Sequence, residues 1–361
     1  MDIYGTIGPA CLDDKLLEEM FLLGMTGMRL NLSHTELSDC HEWTDKIKQA
    51  AKSAGVKPKI LIDLQGPELR IGKLETPILL REGEQIILES QNREETKSKE
   101  LDCGLFGCQE YGQSAAAISV PEPVIARMET GQQVLLDDGK IMLVVLASEQ
   151  GRSCCQVSRG GILASKKSIA LQGIELYLPT LTESDRKNLR QAREHGVTGV
   201  MLPFVSKAYQ LQNLKRELLE MKEPELEIFA KIENLEGFHN LKHLLPYADH
   251  IVIARGDLGN RMPLWELPPI QAEIAKVCRK EKKPFMVVTQ MLASMEEHKV
   301  PTRAEVSDIF RAVSEGAFSV MVTGETAAGR YPVEAMKYLC RTVQSAQEYL
   351  KERQNRERKQ I

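Results

Sequence analysis

The sequence predicts an α/β protein: a closed (β/α)8 barrel with a small all-β domain inserted after its third strand. Three observations predict it. Short β-branched or apolar runs alternate with longer amphipathic stretches through most of the chain, the pattern of parallel strands joined by crossover helices. That alternation stops between about residues 71 and 176, where short strands and turns take over. What remains outside the interruption is close to the ~250 residues typical of such a barrel.

The elements follow in order. A strand at Ile3–Ile7 leads to a helical pattern at Asp13–Leu23 that stops at Gly24. Next come a strand at Met28–Leu32, a helix at Glu42–Ala54 and a strand at Lys59–Asp63. In the interruption, the Asp138-Gly139 pair between two apolar runs predicts a hairpin turn, and the polar stretch Gln91–Ser119 predicts no regular element. The alternation resumes with a helix at Thr182–His195. Strands follow at Gly199–Leu202, Glu227–Lys231, His250–Ala254, Pro284–Val288 and Ser319–Val322. A last helix at Val333–Leu350 precedes KERQNRERKQI, expected to be a frayed, charged tail. The boundaries expected are 1–70 with 177–350 for the barrel, 71–176 for the insert and 351–361 for the tail. An open doubly wound sheet is the alternative architecture, but no GxGxxG loop follows the first strand.

The chain has 361 residues, 42% apolar and 27% charged, with a formal net charge of −4. This is a globular profile, without the basic stripe of a nucleic-acid binder. No apolar run reaches the ~18 residues of a membrane span, and MDIYGTIGPA lacks the charged and apolar regions of a secretory leader. The eight cysteines, among them Cys103, Cys108 and the vicinal Cys154 and Cys155, contain no CxxC. They read as reduced thiols of a cytoplasmic protein.

Polar groups gather where a barrel places its chemistry, at the C-terminal ends of the strands. Strand two ends in Arg29-Leu30-Asn31-Leu32-Ser33-His34, and strand three in Asp63, followed by Gly66-Pro67-Glu68-Leu69-Arg70. Strand five ends in Lys231-Ile232-Glu233-Asn234, strand six in Arg255-Gly256-Asp257, strand seven in Thr289-Gln290 and strand eight in Thr323-Gly324-Glu325-Thr326. Any one of these reads equally well as a wet strand end; six of eight do not. Glu233 and Asp257 are hard oxygen donors suited to Mg2+ or Mn2+. Lys231, two residues before Glu233, faces the same side of an extended strand. Lysine and Arg29 beside a divalent cation suit a phosphoryl group in transfer. A short helix starting at Gly256 would aim N–H groups at a carboxylate or phosphate. Asn31, Ser33 and Asp63 together would suit a monovalent cation.

Ten segments resemble pyruvate kinases, in the same order. They are TIGPA at 6–10, RLNLSH at 29–34, GPELRIG at 66–72, DDG at 137–139, SKK at 165–167, AKIEN at 230–234, ARGDLG at 254–259, TQML at 289–292, PTRAEVSD at 301–308 and TGETAAGRYP at 323–332. The resemblance implies a barrel carrying a β lid after strand three, and conversion of phosphoenolpyruvate and ADP to pyruvate and ATP. It implies that Lys231 contacts the transferring phosphoryl, that Arg29 binds phosphate, and that Glu233 and Asp257 hold Mg2+ or Mn2+. The Gly256 and Asp257 backbone would receive the substrate carboxylate, with Arg255 and Thr289 in the substrate-binding set and Thr289 ordering a proton-donating water. His34, Arg70 and Lys167 would serve the nucleotide. Asn31, Ser33, Asp63 and the carbonyl of Leu64 would hold K+. The partners implied are phosphoenolpyruvate and ADP or ATP, with neither nucleic acid nor membrane, and a homodimer, if one forms, through the barrel.

The chain also departs from that pattern. The usual Asp-Thr-Lys-Gly reads Asp63-Leu64-Gln65-Gly66, Thr35 replaces a glycine, Thr323 replaces a serine, and Asn260-Arg261-Met262 replaces an acidic–apolar continuation. The C-terminal domain usual in the family is not expected, nor the sugar-phosphate regulation that it carries. Two other readings stay open: a related barrel enzyme acting on another enol phosphate, and a non-enzymatic paralogue that binds a metabolite.

Overall fold

A computed structural model describes residues 1–33, 35–66, 69–91, 117–137, 139–149, 151–174, 179–260 and 262–359. Two compact units emerge: residues 1–66 with 180–361, and residues 67–179. The divisions fall a few residues from those expected.

The first unit begins β1 (Asp2–Thr6), α1 (Asp14–Leu22), β2 (Gly27–Asn31), α2 (His41–Ser53) and β3 (Lys59–Asp63). The second unit then supplies β4 (Ile78–Leu80), β5 (Gln85–Ser90), β6 (Ala117–Val120), α3 (Glu122–Ile125), β7 (Gln133–Leu136), β8 (Ile141–Glu149), β9 (Arg152–Arg159), β10 (Gly161–Leu163) and β11 (Ile169–Leu171). The first unit resumes with α4 (Glu183–His195), β12 (Gly199–Leu202), α5 (Ala208–Glu220), β13 (Glu227–Ile232), α6 (Leu235–His239), α7 (Leu241–Leu244), β14 (His250–Ala254) and α8 (Arg255–Asn260). It ends with α9 (Leu267–Lys280), β15 (Phe285–Val288), α10 (Arg303–Ser314), β16 (Ser319–Met321), α11 (Gly324–Ala327) and α12 (Pro332–Lys359).

Eight parallel strands close the barrel in the order β1-β16-β15-β14-β13-β12-β3-β2. Each is buried on both sides, which is why the strands read as apolar runs rather than as alternations. Period two still sorts their side chains. Leu61, Met201, Phe229, Val252, Met286, Val288 and Met321 fill the interior with Tyr4. Their neighbours Ile60, Ile62, Ile251, Ile253, Phe285 and Val287 pack outwards into the core that the helices complete. Helix starts are fixed locally: Thr182 with Asp185 and Thr302 with Glu305 form capping boxes on α4 and α10.

The second unit has its own core and two sheets, β11-β7-β8-β9-β5-β6 and β10-β4. β7 and β8 form the expected hairpin; Asp138 lies outside the described residues, while Gly139 has φ 81°. Two expectations are corrected. Ser119 belongs to β6, which pairs in parallel with β5. The tail expected to fray continues α12 to Lys359, because 333–359 contains neither glycine nor proline and i,i+4 pairs such as Arg353–Glu357 lie along it. Among the described residues no helix is long and apolar enough to cross a membrane.

Candidate active site

The ends of β2, β3 and β13 bring four charges into one line. β2 and β3 pair with Asn31 opposite Asp63, which puts Arg29 beside the Asp63 carboxylate. Arg29 donates to Asp63 Oδ2 through Nε at 3.0 Å and Nη2 at 2.6 Å. Lys231 reaches the same carboxylate, donating to Oδ1 at 3.2 Å and Oδ2 at 3.1 Å. Its Nζ also stands 2.8 Å from Glu233 Oε1. The sequence pattern placed Lys231 and Glu233 on one side of a strand. It did not show that Asp63, expected as a K+ ligand, also joins the two cations.

The chemistry of each group follows from this packing. Burial works against the Asp63 charge, but Lys231 and Arg29 outweigh it and hold the carboxyl below the ordinary range. Burial likewise opposes the Lys231 charge, yet Asp63 and Glu233 hold its ammonium above the usual lysine range. Lys231 is therefore a fixed cation at neutral pH and not a proton shuttle. Glu233 moves the other way: burial, with the charge of Asp257 adding to it against Lys231, raises its pKa.

Glu233 is wholly buried, and its two oxygens differ. Oε2 accepts the backbone N–H of Phe204 at 2.7 Å. Oε1 lies close to Lys231, but among the described residues no group makes a well-directed hydrogen bond to it. Oε1, buried beside one ammonium and near the charge of Asp257, is a hard oxygen of the kind that fits a divalent cation. Among the described residues no three His, Cys, Asp or Glu side chains form a cage. Glu233 and Asp257 are hard oxygen donors, a type that suits Mg2+ better than Zn2+.

The K+ set fits in part. Asn31 is exposed and, among the described residues, its Oδ1 accepts the Ser33 N–H at 3.2 Å. Asp63 Oδ2 carries three of the carboxylate's four cation contacts, leaving Oδ1 with the one at 3.2 Å. The Leu64 side chain is buried, so only its carbonyl could serve.

Thr289 has φ 71° and Gln290 φ 53°. Two consecutive residues with side chains in the left-handed region, one of them β-branched, store backbone strain. Arg255 holds them there. Its buried guanidinium donates to the Thr289 carbonyl at 3.2 and 2.7 Å and to the Gln290 carbonyl at 3.2 Å, and pairs with Asp308. Gly256 lies against Thr289, where an added Cβ would sit 3.0 Å from its Cγ2. The strand-eight residues are also occupied within the fold. Glu325 accepts from the N–H groups of Leu292 and Thr323, and Thr326 exchanges hydrogen bonds with the Thr6 backbone across the barrel seam.

The expected nucleotide residues Arg70 and Lys167 lie together in the second unit. Arg70 bridges to Ser168 and donates to the Lys166 carbonyl at 2.8 Å; Lys167 is 2.8 Å from Asp137. His34 lies outside the described residues, as do Pro67, Glu68, Arg261, Cys103 and Cys108. Sequence reasoning missed Phe204, whose φ of 53° aims its N–H at Glu233; nothing in the pattern LPFV signals that turn.

Comparison with known proteins adds relatives to this geometry. Residues 1–336 match the family model described as pyruvate kinase, barrel domain. Among curated proteins named pyruvate kinase, that of Geobacillus stearothermophilus is 37% identical over 340 residues, which is 93% of this chain and 55% of the relative. That of Staphylococcus epidermidis is 33% identical over 356 residues, 97% of this chain and 58% of the relative. That of Chlamydia pneumoniae is 34% identical over 337 residues, 93% and 66%. The chain thus spans between 55% and 66% of the length of these relatives. On the match of its barrel, the chain belongs to the pyruvate kinase family.

Proposed function

We propose that the chain transfers a phosphoryl group between phosphoenolpyruvate and ADP, giving pyruvate and ATP. The observation that carries this is the line Arg29–Asp63–Lys231–Glu233 at the strand ends, two fixed cations held by two buried carboxylates. Phosphoryl transfer asks little covalent chemistry of a protein and much positioned positive charge. Lys231 meets that need, because its ammonium cannot deprotonate near neutral pH while Asp63 and Glu233 stay ionised. Its hydrogen-bond donors gain value as charge builds on the phosphoryl and enol oxygens.

Arg29 binds the phosphate from the other side of Asp63. The Gly256 and Asp257 backbone receives the substrate carboxylate, and Thr289, fixed by Arg255, orders the water that protonates the methylene carbon. A divalent cation at Glu233 and Asp257 would supply further positive charge against the phosphoryl oxygens. Asn31, Ser33, Asp63 and the Leu64 carbonyl would hold a monovalent cation. Arg70, Lys167 and His34 serve the nucleotide, Lys167 exchanging Asp137 for a phosphate. The described cysteines form no disulfide, which supports a reducing compartment, and we place the chain in the cytoplasm.

The test is a coupled assay for pyruvate from phosphoenolpyruvate and ADP, with and without Mg2+ and K+. Turnover that requires Mg2+ is expected. A protein that binds phosphoenolpyruvate in calorimetry but forms no pyruvate with any nucleoside diphosphate would overturn the proposal in favour of metabolite binding.

A further inference from the structure

Asp185 lies wholly buried on the first turn of α4. Part of its bonding is an ordinary capping box. The N-cap Thr182 gives its backbone N–H to Oδ2 at 2.8 Å, and Thr182 Oγ1 takes the Asp185 N–H at 3.0 Å. A capping box needs no more than this. Here Oδ1 also accepts the Gln65 N–H at 2.9 Å, and Oδ2 accepts the Gly66 N–H at 3.2 Å. Those two residues are the last of the first unit before the chain leaves for the second. Gly66 has φ 63°, and a Cβ there would meet Pro203 Cγ at 2.5 Å, so the segment is held closely.

The anchor has a consequence for Leu64. No peptide bond among the described residues is cis, so the Leu64 carbonyl points opposite to the Gln65 N–H of the same peptide plane. Fixing that N–H on Asp185 turns the Leu64 carbonyl away from Asp185 and locks its plane. The preceding plane is held as well, by the Leu64 N–H donating to the Met201 carbonyl at 3.1 Å. A negative charge on the N–H end also draws electron density toward the carbonyl oxygen, making it a better cation ligand. We propose that Asp185 is a positioning residue that aims and polarises the Leu64 carbonyl for the monovalent cation. The inference rests on the cation site named under the proposed function.

The test compares Asp185→Asn with Thr182→Val in the whole chain. Both break the capping box, and only the first disturbs the Gln65 and Gly66 N–H groups. The thermal midpoint is followed against KCl, with choline chloride holding ionic strength, and the K+ half-saturation of turnover is measured in parallel. A ligand that binds only the folded chain raises the midpoint with its own saturation curve. The wild type is expected to respond to KCl and not to choline. Asp185→Asn should raise the K+ half-saturation about tenfold in both readouts, the order of one lost hydrogen bond to a charged group. Thr182→Val should lower the midpoint yet keep the K+ half-saturation within about twofold. If Asp185→Asn does not fold, Gln65→Pro removes the one N–H without touching Asp185, and the same rise is expected. A wild type that responds to K+ beside variants with unchanged half-saturation overturns the inference alone. A wild type without any K+ response overturns the monovalent site and the inference together.

Discussion

Replacing Asp63 by asparagine tests the line of charge at the barrel mouth while keeping side-chain volume. The carboxylate is 2% exposed and takes contacts from Arg29 at 2.6 and 3.0 Å and from Lys231 at 3.1 and 3.2 Å. An amide keeps one acceptor oxygen and adds an NH2 group beside two cations. Arg29, whose charge already opposes that of Lys231, then loses its carboxylate partner, and Lys231 keeps only Glu233 among the described residues. Removing one partner of a buried ion pair costs about 3–5 kcal/mol, because the remaining charge stays desolvated. Two cations lose a partner here, but Lys231 keeps Glu233 at 2.8 Å, so the same range holds. For a domain of this size it corresponds to a fall of about 6–20 °C in the thermal midpoint. Adding Lys231→Met leaves Arg29 and Glu233, opposite in sign. The double variant should therefore fall short of the summed single costs by at least about 1 kcal/mol. Urea unfolding of the parent, both single variants and the double variant at pH 7 measures this. An Asp63→Asn cost below about 1 kcal/mol, or additivity within about 0.5 kcal/mol, would refute the interlocked arrangement.

Glu233→Gln should keep or raise the unfolding midpoint without divalent cation, because burial already disfavours the carboxylate. It should also abolish the rise in midpoint that Mg2+ gives, and near-normal Mg2+-dependent turnover in this variant would contradict the metal assignment. Lys231→Met should lower kcat about 10²–10³-fold, well beyond any rise in KM for phosphoenolpyruvate; steady-state kinetics in which only KM moves would remove its transition-state role. His195 is buried, with its ring 4.1 Å from that of His41, and burial followed by His41 holds its pKa below the ordinary 6.5. A depressed folded pKa gives stability that is full above 6.5 and lost as pH falls through the folded value. Urea midpoints should thus decline more steeply with acidification in the parent than in His195→Gln, and parallel declines would exclude His195 as the source.

Much of the barrel could be read from the chain because its strands are buried on both faces. Lys59–Asp63, Gly199–Leu202 and His250–Ala254 are apolar runs that end abruptly. Lys231 and Glu233 were legible for a similar reason, since two residues apart on a strand is a fixed geometry. Contacts set by distant segments were not legible. Arg255 reads as one of the substrate-binding residues at a strand end, and only the fold supplies the Thr289 and Gln290 carbonyls that it bonds. Asp185 reads as a helix cap, and nothing local ties it to residues 65 and 66. At the other end, KERQNRERK reads as solvated and loose, yet spaced opposite charges suit a helix as well as a tail.

The seam of the barrel bears on how the chain is made. β1 pairs with β2 on one side and with β16 on the other, Asp2 lying opposite Ser319, and Thr6 bonds Thr326, 320 residues away. At ~5–20 residues per second, a ribosome needs on the order of 16–64 s to reach that partner. Throughout that interval β1 presents an open edge, with N–H and C=O groups free to pair wrongly. The second unit, with a separate core between β3 and α4, is complete well before the seam can close. Translation speed and chaperone supply should thus bear on the yield of closed barrel far more than on that of the insert, and a pause before residue 319 would prolong the exposed state.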